Sequence, residues 1–451
     1  MQQNPLLSSE IKQVWAVAWP LILTNILNVT VGIIDIKMVG ALGISSIASV
    51  GISRQVIMFL MVLMIAISGG SSVLVAHAYG ARDRHKVSEV ASRSIIFMVI
   101  AALMIVTPLG ILFSRPTLVL LGGTEEVVRL GEPYLHILFA GSIFTMFNFA
   151  VTGILLGVGK TRISLYLLIV INFLNIFFNY ILIFGLGSIP AYGINGAALG
   201  TVLARALGSI AGIWILKSPR FQVEVDYRDA LTFDWSLLQK ILALGGPRSL
   251  QGIVRNFSRL MTIRIITLLP DATRAVSAYT VGMQVRMVSS FIGLAFMSAS
   301  MTRVGQNMGG KHPELAEKSG WISAGMAMGL MTLLGLLFFL FPGKIMAFFT
   351  SDRAVIEMGT LFFVIIALSE PIMALAFALS GALRGGGDPI SPFVYSSISD
   401  LLVVLVAGYI FAVLLQMGFT GIAVAVALSA ITRAVPTTWK FRQGNWKAIR
   451  L

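Results

Sequence analysis

Long apolar stretches alternate with short polar ones along the whole chain. Crossing a bilayer as a helix takes about 20 apolar residues. Stretches of that kind lie near 12–37, 45–75, 88–113, 124–156, 163–187 and 193–217, and again near 237–267, 274–304, 315–341, 352–382, 391–415 and 420–440. The pattern predicts an all-α integral membrane protein of about twelve transmembrane helices. One longer polar stretch, SPRFQVEVDYRDALTFDWS, separates the sixth span from the seventh. The first residues, MQQNPLLSSEIKQ, have neither a basic start nor a small-residue cleavage site after a short apolar core. That argues against a cleaved signal peptide.

The pattern also repeats. GILLGVGKTRIS (Gly153–Ser164) is echoed by GALRGGGDPIS (Gly381–Ser391), and AHAYGARDRHK (Ala76–Lys86) by GQNMGGKHPEL (Gly305–Leu315). NGAALGTVLAR (Asn195–Arg205) is echoed by TGIAVAVALSAITR (Thr420–Arg433), and Pro20 by Pro247. All four pairs share an offset of 225–229 residues. Two homologous halves of six helices follow, and an even number of helices per half makes the repeat parallel. The expected organisation is a lobe over 1–217, a cytoplasmic linker over 218–236, a second lobe over 237–441 and a cytoplasmic tail over 442–451.

Charge supports this picture. Charged residues make up 12% of the chain, too few to cover a water-facing surface. The net charge is +14, but its Lys and Arg gather in alternate loops. Arg82, Arg84 and Lys86 follow the second span, Lys160 and Arg162 the fourth, Lys217, Arg220 and Arg228 the sixth, and Lys311 and Lys318 the eighth. Arg384 closes the tenth span, and Lys440, Arg442, Lys447 and Arg450 close the chain. Clustering of that kind marks the cytoplasmic side, so both termini are expected there, in a bacterial or archaeal inner membrane. It favours membrane topology over nucleic-acid binding. Arg115, Arg274, Lys344 and Arg353 are the exceptions. There is no Cys, which excludes disulfides and thiolate chemistry. The four His, at 77, 85, 136 and 312, show no metal-ligand spacing.

Against this apolar background one residue stands out. Asp35, in TVGIIDIKMVG, lies inside the first span. Carboxylates in hydrocarbon cost several kcal/mol and mark functional sites by default. Lys37 is two residues away and points to a different side of the helix. Burial disfavours the ionised form of carboxylates in general, so an acid in such a place suits proton exchange.

The first span with Pro20, Asn25, Asp35 and Val39–Gly40, the loop with Gly157, Gly159 and Arg162, the fifth span NFLNIFFNYILIFG, and their repetition resemble the multidrug and toxic compound extrusion (MATE) family, in its DinF-like branch. The resemblance covers nearly the whole chain. It implies two pseudo-symmetric six-helix lobes and a secondary antiporter, most simply a monomer. Such a protein expels cationic or amphipathic organic compounds in exchange for H⁺ or Na⁺ and needs no other cofactor. It also implies an ion site at Asp35, Asn175, Asn179 and Thr201, where Na⁺ is the one metal to consider. Some relatives carry a second carboxylate where this chain has Asn179, so the site here holds about one proton or one monovalent cation. With a single acid the expectation leans to H⁺.

Read residue by residue, Asn175 and Asn179 share one helix face at i, i+4 spacing, with amide oxygens suited to a cation or a protonated acid. Thr201 lies in a small-residue helix that permits close packing. Asn172, Asn25 and Tyr134 are lesser candidates for lining a substrate path, and Pro133 is expected to kink the fourth span. The second half has no acid at the position of Asp35. It has instead Arg255 and Arg286, with Glu370 and Asp400 as acidic counterparts. Buried charges need partners, so Arg255 or Arg286 is expected to pair with Glu370 or Asp400.

The competing reading is a flippase for lipid-linked or lipid-like cargo, which the second-half arginines keep open. An enzyme finds no support, because no nucleophile–base pair or GxxxxGK[ST] loop is present. A channel would move substrate without accumulating it against a gradient.

Overall fold

The computed structural model describes residues 5–218 and 233–451. Most of the linker expected at 218–236, with Arg220 and Arg228, lies outside the described residues. Among the described residues twelve helical elements follow in order: α1 (Pro5–Gly40), α2 (Ile44–Gly80), α3 (Arg84–Leu120), α4, α5 (Thr161–Phe184), α6 (Gly193–Lys217), α7 (Trp235–Ile266), α8 (Ala272–Gly309), α9 (Pro313–Leu340), α10 (Arg353–Gly385), α11 (Ile390–Leu414) and α12 (Phe419–Gln443). α4 has two segments, Glu125–Ala140 and Ser142–Val158, bent by 51°. Among the described residues, ten helices are long and apolar enough to cross a membrane, or eleven with α4 as one span. α7 completes the twelve and falls short because it carries Arg248, Arg255, Arg259 and Arg264.

Several helices run past their apolar stretch. α1 begins seven residues before the predicted start and α2 ends five after the predicted end. Polar residues at the ends explain this, because interfacial helix turns need no apolar side chains. Pro133 does not kink α4. It sits within the first segment, and the bend falls at Gly141. There the Phe139 carbonyl accepts from the Thr107 hydroxyl at 2.8 Å, so a group at the break keeps a partner.

The internal repeat extends to backbone conformation. Arg82 and Lys311, 229 residues apart, both take the left-handed conformation, with φ of 57° and 62°. Gly159 and Gly387 match at 81° and 91°, and Gly193 and Gly418 at 57° and 59°. Helix packing repeats as well. A Cβ on Gly157 of α4 would come within 2.6 Å of the Ser72 carbonyl of α2, and one on Gly385 of α10 within 2.3 Å of the Met301 carbonyl of α8. The same backbone contact is built twice from equivalent glycines.

By contacts, the chain forms two compact units. One comprises Leu23–Gly246 and the other Met1–Ile22 with Pro247–Leu451. Each unit thus includes the opening turns of the other half's first helix. In the second unit, Glu10 of α1 is 4% exposed and meets Arg303 of α8 in a two-pronged ion pair at 2.6 and 3.4 Å. In the first unit, a Cβ on Gly245 of α7 would come within 1.7 Å of the Ala66 carbonyl of α2. After α12 the chain packs back. Trp446 is buried and stacks on Phe441 with ring centroids 5.0 Å apart, and Lys447 pairs with Glu317 at 2.5 Å.

Three of the four basic exceptions have acidic company. Arg115 meets Glu132 at 3.5 Å, Arg274 meets Asp352 at 3.3 Å and Asp271 at 3.8 Å, and Arg353 meets Glu357 at 3.1 Å. Lys344 lies over the Phe341 ring at 5.6 Å. The positive charge at these ends is largely compensated locally.

Candidate functional site

In the Leu23–Gly246 unit, four residues expected to act together do meet. Asp35 is half-buried on α1. The Asn179 amide nitrogen on α5 donates to Asp35 Oδ1 at 3.0 Å and lies 3.4 Å from Asn175 Oδ1 one turn earlier. The Asn175 amide nitrogen donates to Thr201 Oγ1 on α6 at 3.0 Å, and that hydroxyl donates to the Ala197 carbonyl at 2.9 Å. The result is one hydrogen-bonded path from a carboxylate across two asparagines to a helix backbone. Glycine makes it possible. A Cβ on Gly200 would fall 2.2 Å from Asn179 Oδ1, so only glycine lets α6 approach this closely.

Two polar atoms in the cluster have no hydrogen-bond partner: Asn179 Oδ1 and, one turn before Asn175, the Asn172 amide nitrogen. Buried polar groups normally find partners, so these are spare capacity beside the one acid of this cluster. Tyr134 packs on the cluster of Val39, Val50, Ile183, Ile194 and Ala197, within electrostatic reach of Asp35. Asn25 lies ten residues before Asp35, about 15 Å along the same helix. It does not touch the carboxylate.

Sequence reading missed two residues here. Arg54 of α2 and Arg205 of α6 both act electrostatically on Asp35. An Arg54 nitrogen lies 3.4 Å from where a Gly32 Cβ would sit, one turn before Asp35. Arg205, one turn beyond Thr201, donates to the Thr145 hydroxyl at 2.6 Å. Both were visible as charges in apolar spans, but their common target is 19 residues away in one case and 170 in the other.

The other unit holds its charges differently. Arg286 of α8 donates to Glu370 of α10 at 2.9 Å, and the Ser289 hydroxyl also donates to that carboxylate. The expected pairing of Arg286 with Glu370 is present there. Asp400 pairs not with Arg255 but with Arg433 of α12, a residue the sequence reading had not selected. The reason is geometric. α7 presents Ser258, not Arg255, to α11 at this level, and the Ser258 hydroxyl donates to the Asp400 carbonyl at 2.8 Å. Arg255 forms no ion pair among the described residues.

No group of three or more His, Cys, Asp or Glu that could hold a metal is present among the described residues. A monovalent cation would have to rely on Asp35 with neutral oxygens of Asn175, Asn179 and Thr201.

A two-lobed repeat of long apolar helices defines a membrane transporter architecture. The MatE family pattern matches residues 20–181 and again 247–410, and the chain belongs to that family. A probable multidrug resistance protein NorM from Thermotoga maritima is 29% identical over 440 residues, covering 97% of this chain and 93% of that one. An uncharacterized transporter, YisQ, from Bacillus subtilis is 24% identical over 435 residues, covering 96% and 94%. The fold matches a structure described as the outward-facing conformation of a multidrug resistance MATE family transporter of the MOP superfamily, with a TM-score of 0.87 at 21% identity, over 99% of each chain.

Proposed function

We propose that the protein is a multidrug exporter that expels cationic or amphipathic organic compounds in exchange for H⁺, with Asp35 carrying the exchanged proton. The observation behind this is the hydrogen-bonded path Asp35–Asn179–Asn175–Thr201 around a single carboxylate. The names of the relatives support multidrug cargo, and its cationic or amphipathic character follows from the family resemblance.

The chemistry follows from the donors and acceptors. Ionised Asp35 only accepts hydrogen bonds, and the Asn179 amide nitrogen supplies one. Protonated Asp35 must also donate, and Asn179 carries a buried, unused oxygen on the same amide. Reorienting that amide exchanges donor for acceptor, so one side chain serves both protonation states. Arg54 and Arg205 place two positive charges near the acid. They oppose any further cation at the same oxygens, proton and Na⁺ alike, so the choice of H⁺ rests on the single carboxylate and its neutral hydrogen-bond partners. A cationic substrate that approaches the cluster raises the local positive charge further and drives the proton off. Competition of that kind couples two fluxes without covalent chemistry.

The test is efflux of a fluorescent lipophilic cation from liposomes under an imposed pH gradient or an imposed Na⁺ gradient. Transport driven by ΔpH alone and lost in Asp35→Asn is the expected result. A requirement for Na⁺ would move Asp35 to a coordinating role, and normal transport by Asp35→Asn would overturn the proposal.

A further inference from the structure

In the unit containing Pro247–Leu451, Arg248, Arg255 and Arg384 form no ion pair among the described residues. Arg384 of α10 is 3% exposed. One terminal nitrogen donates to Gln251 Oε1 of α7, the other lies 3.3 Å from Met297 Sδ, and its Nε is buried without a partner. Arg248 and Arg255 are the electrostatic neighbours of this guanidinium, and both repel it. They flank Gln251 on α7 at positions i−3 and i+4, so the three side chains share one helix face. Arg248 is half-buried and Arg255 exposed.

The acids within reach of the bundle are engaged elsewhere. Glu370 is held by Arg286 and Ser289, Asp400 by Arg433, and Glu10 by Arg303. Asp388, one turn beyond Arg384, accepts from the Ser391 amide at 3.0 Å and its hydroxyl at 2.7 Å. A guanidinium this buried needs a counter-charge, and the described chain supplies none.

We propose that a phosphate-bearing ligand binds between α7 and α10, held by Arg248, Arg255 and Arg384. Guanidinium groups bind phosphate oxygens in pairs with strong, charge-assisted bonds, and Gln251 and Met297 already fix the Arg384 plane. The phosphate belongs either to an anionic lipid headgroup or to a small phosphate ester. This site lies in the opposite unit from Asp35 and does not depend on proton coupling.

The experiment uses the purified full-length protein in a neutral detergent and titration calorimetry. The probes are dihexanoyl phosphatidic acid, dihexanoyl phosphatidylcholine and phenyl phosphate. Phosphatidic acid should bind at least about tenfold tighter than phosphatidylcholine, and Arg384→Gln should weaken it by about tenfold or more. The double variant Arg248→Gln/Arg255→Gln should do the same, and it decides the matter if Arg384→Gln fails to fold, because Arg255 is exposed and Arg248 only half-buried. Competition by phenyl phosphate assigns recognition to the phosphate alone, and failure to compete assigns it to the lipid headgroup. Equal binding of phosphatidylcholine, or full binding by the double variant, overturns the site. Asp35→Asn should retain anion binding even where cation efflux is lost, so the two proposals fail separately.

Discussion

The two halves share a fold and differ in what they bury. At the 227-residue offset of Pro20 and Pro247, the position equivalent to Asp35 is Thr262, which is fully buried and donates back to the Ser258 carbonyl at 2.8 Å. Asn175 and Asn179 correspond, 228 residues on, to Val403 and Ala407. At the Asp35 cluster the first half therefore has one acid hydrogen-bonded to a neutral amide, with Arg54 and Arg205 in electrostatic reach but forming no ion pair with it among the described residues. The second half has acids pinned by arginines. Duplication of the backbone thus did not duplicate the pairing of its buried charges.

The largest expected effect is on coupling. Asp35→Asn should abolish ΔpH-driven efflux while leaving the melting temperature of the purified protein near wild type. Glu370→Gln should behave in the opposite way. Removing one partner of a buried pair strands the other charge and costs about 3–5 kcal/mol, so the fold should melt well below wild type. A double variant, Arg286→Met with Glu370→Leu, should recover most of that loss, since well-packed apolar replacements of buried pairs are often tolerated. If Glu370→Gln melts normally and instead loses proton coupling, the two halves are more alike than their ion pairs suggest.

A smaller effect is expected at Asn179→Ala, which leaves Asp35 without its donor. The cost of an unmet buried hydrogen bond is about 1–3 kcal/mol. It should appear as slower efflux with an altered pH profile, whereas Asn172→Ala, whose amide nitrogen has no partner, should change little. The smallest effect lies outside the membrane spans. Asp234, just before α7, accepts from the Leu237 amide at 3.1 Å and pairs with Arg93. The Leu237 amide first, with help from Arg93, holds its carboxyl below the usual range. Its contribution is therefore complete above the unfolded value of about 4 and is lost as pH falls through the lower folded value. Melting curves of Asp234→Asn and wild type should converge only in acid.

Much of this was legible in the sequence because lipid is an unforgiving solvent. Spans must be apolar, so Asp35, Asn175 and Asn179 stood out by contrast. A repeat at 225–229 residues needs no structure to be seen. Partner choice was less legible. Asp400 met Arg433 and not Arg255, and Arg54 and Arg205 converged on Asp35, because rotation and depth of each helix decide which face meets which. The bend of α4 at Gly141 and not at Pro133 has the same origin, since membrane helices accommodate a proline when neighbouring groups compensate.

The sequence by itself determined the helices, their number, the twofold repeat and which residues are out of place in lipid, since each of these follows from one residue's solvation or from its spacing along the chain. The tertiary structure alone decided that Glu10 pairs with Arg303 across 293 residues, and that the opening turns of α1 pack with the second half and those of α7 with the first. It alone showed that Arg384 has Arg248 and Arg255 as electrostatic neighbours and forms no ion pair among the described residues. Those are properties of distances between separate helices, and side-chain packing sets such distances, not the order of residues along any one of them.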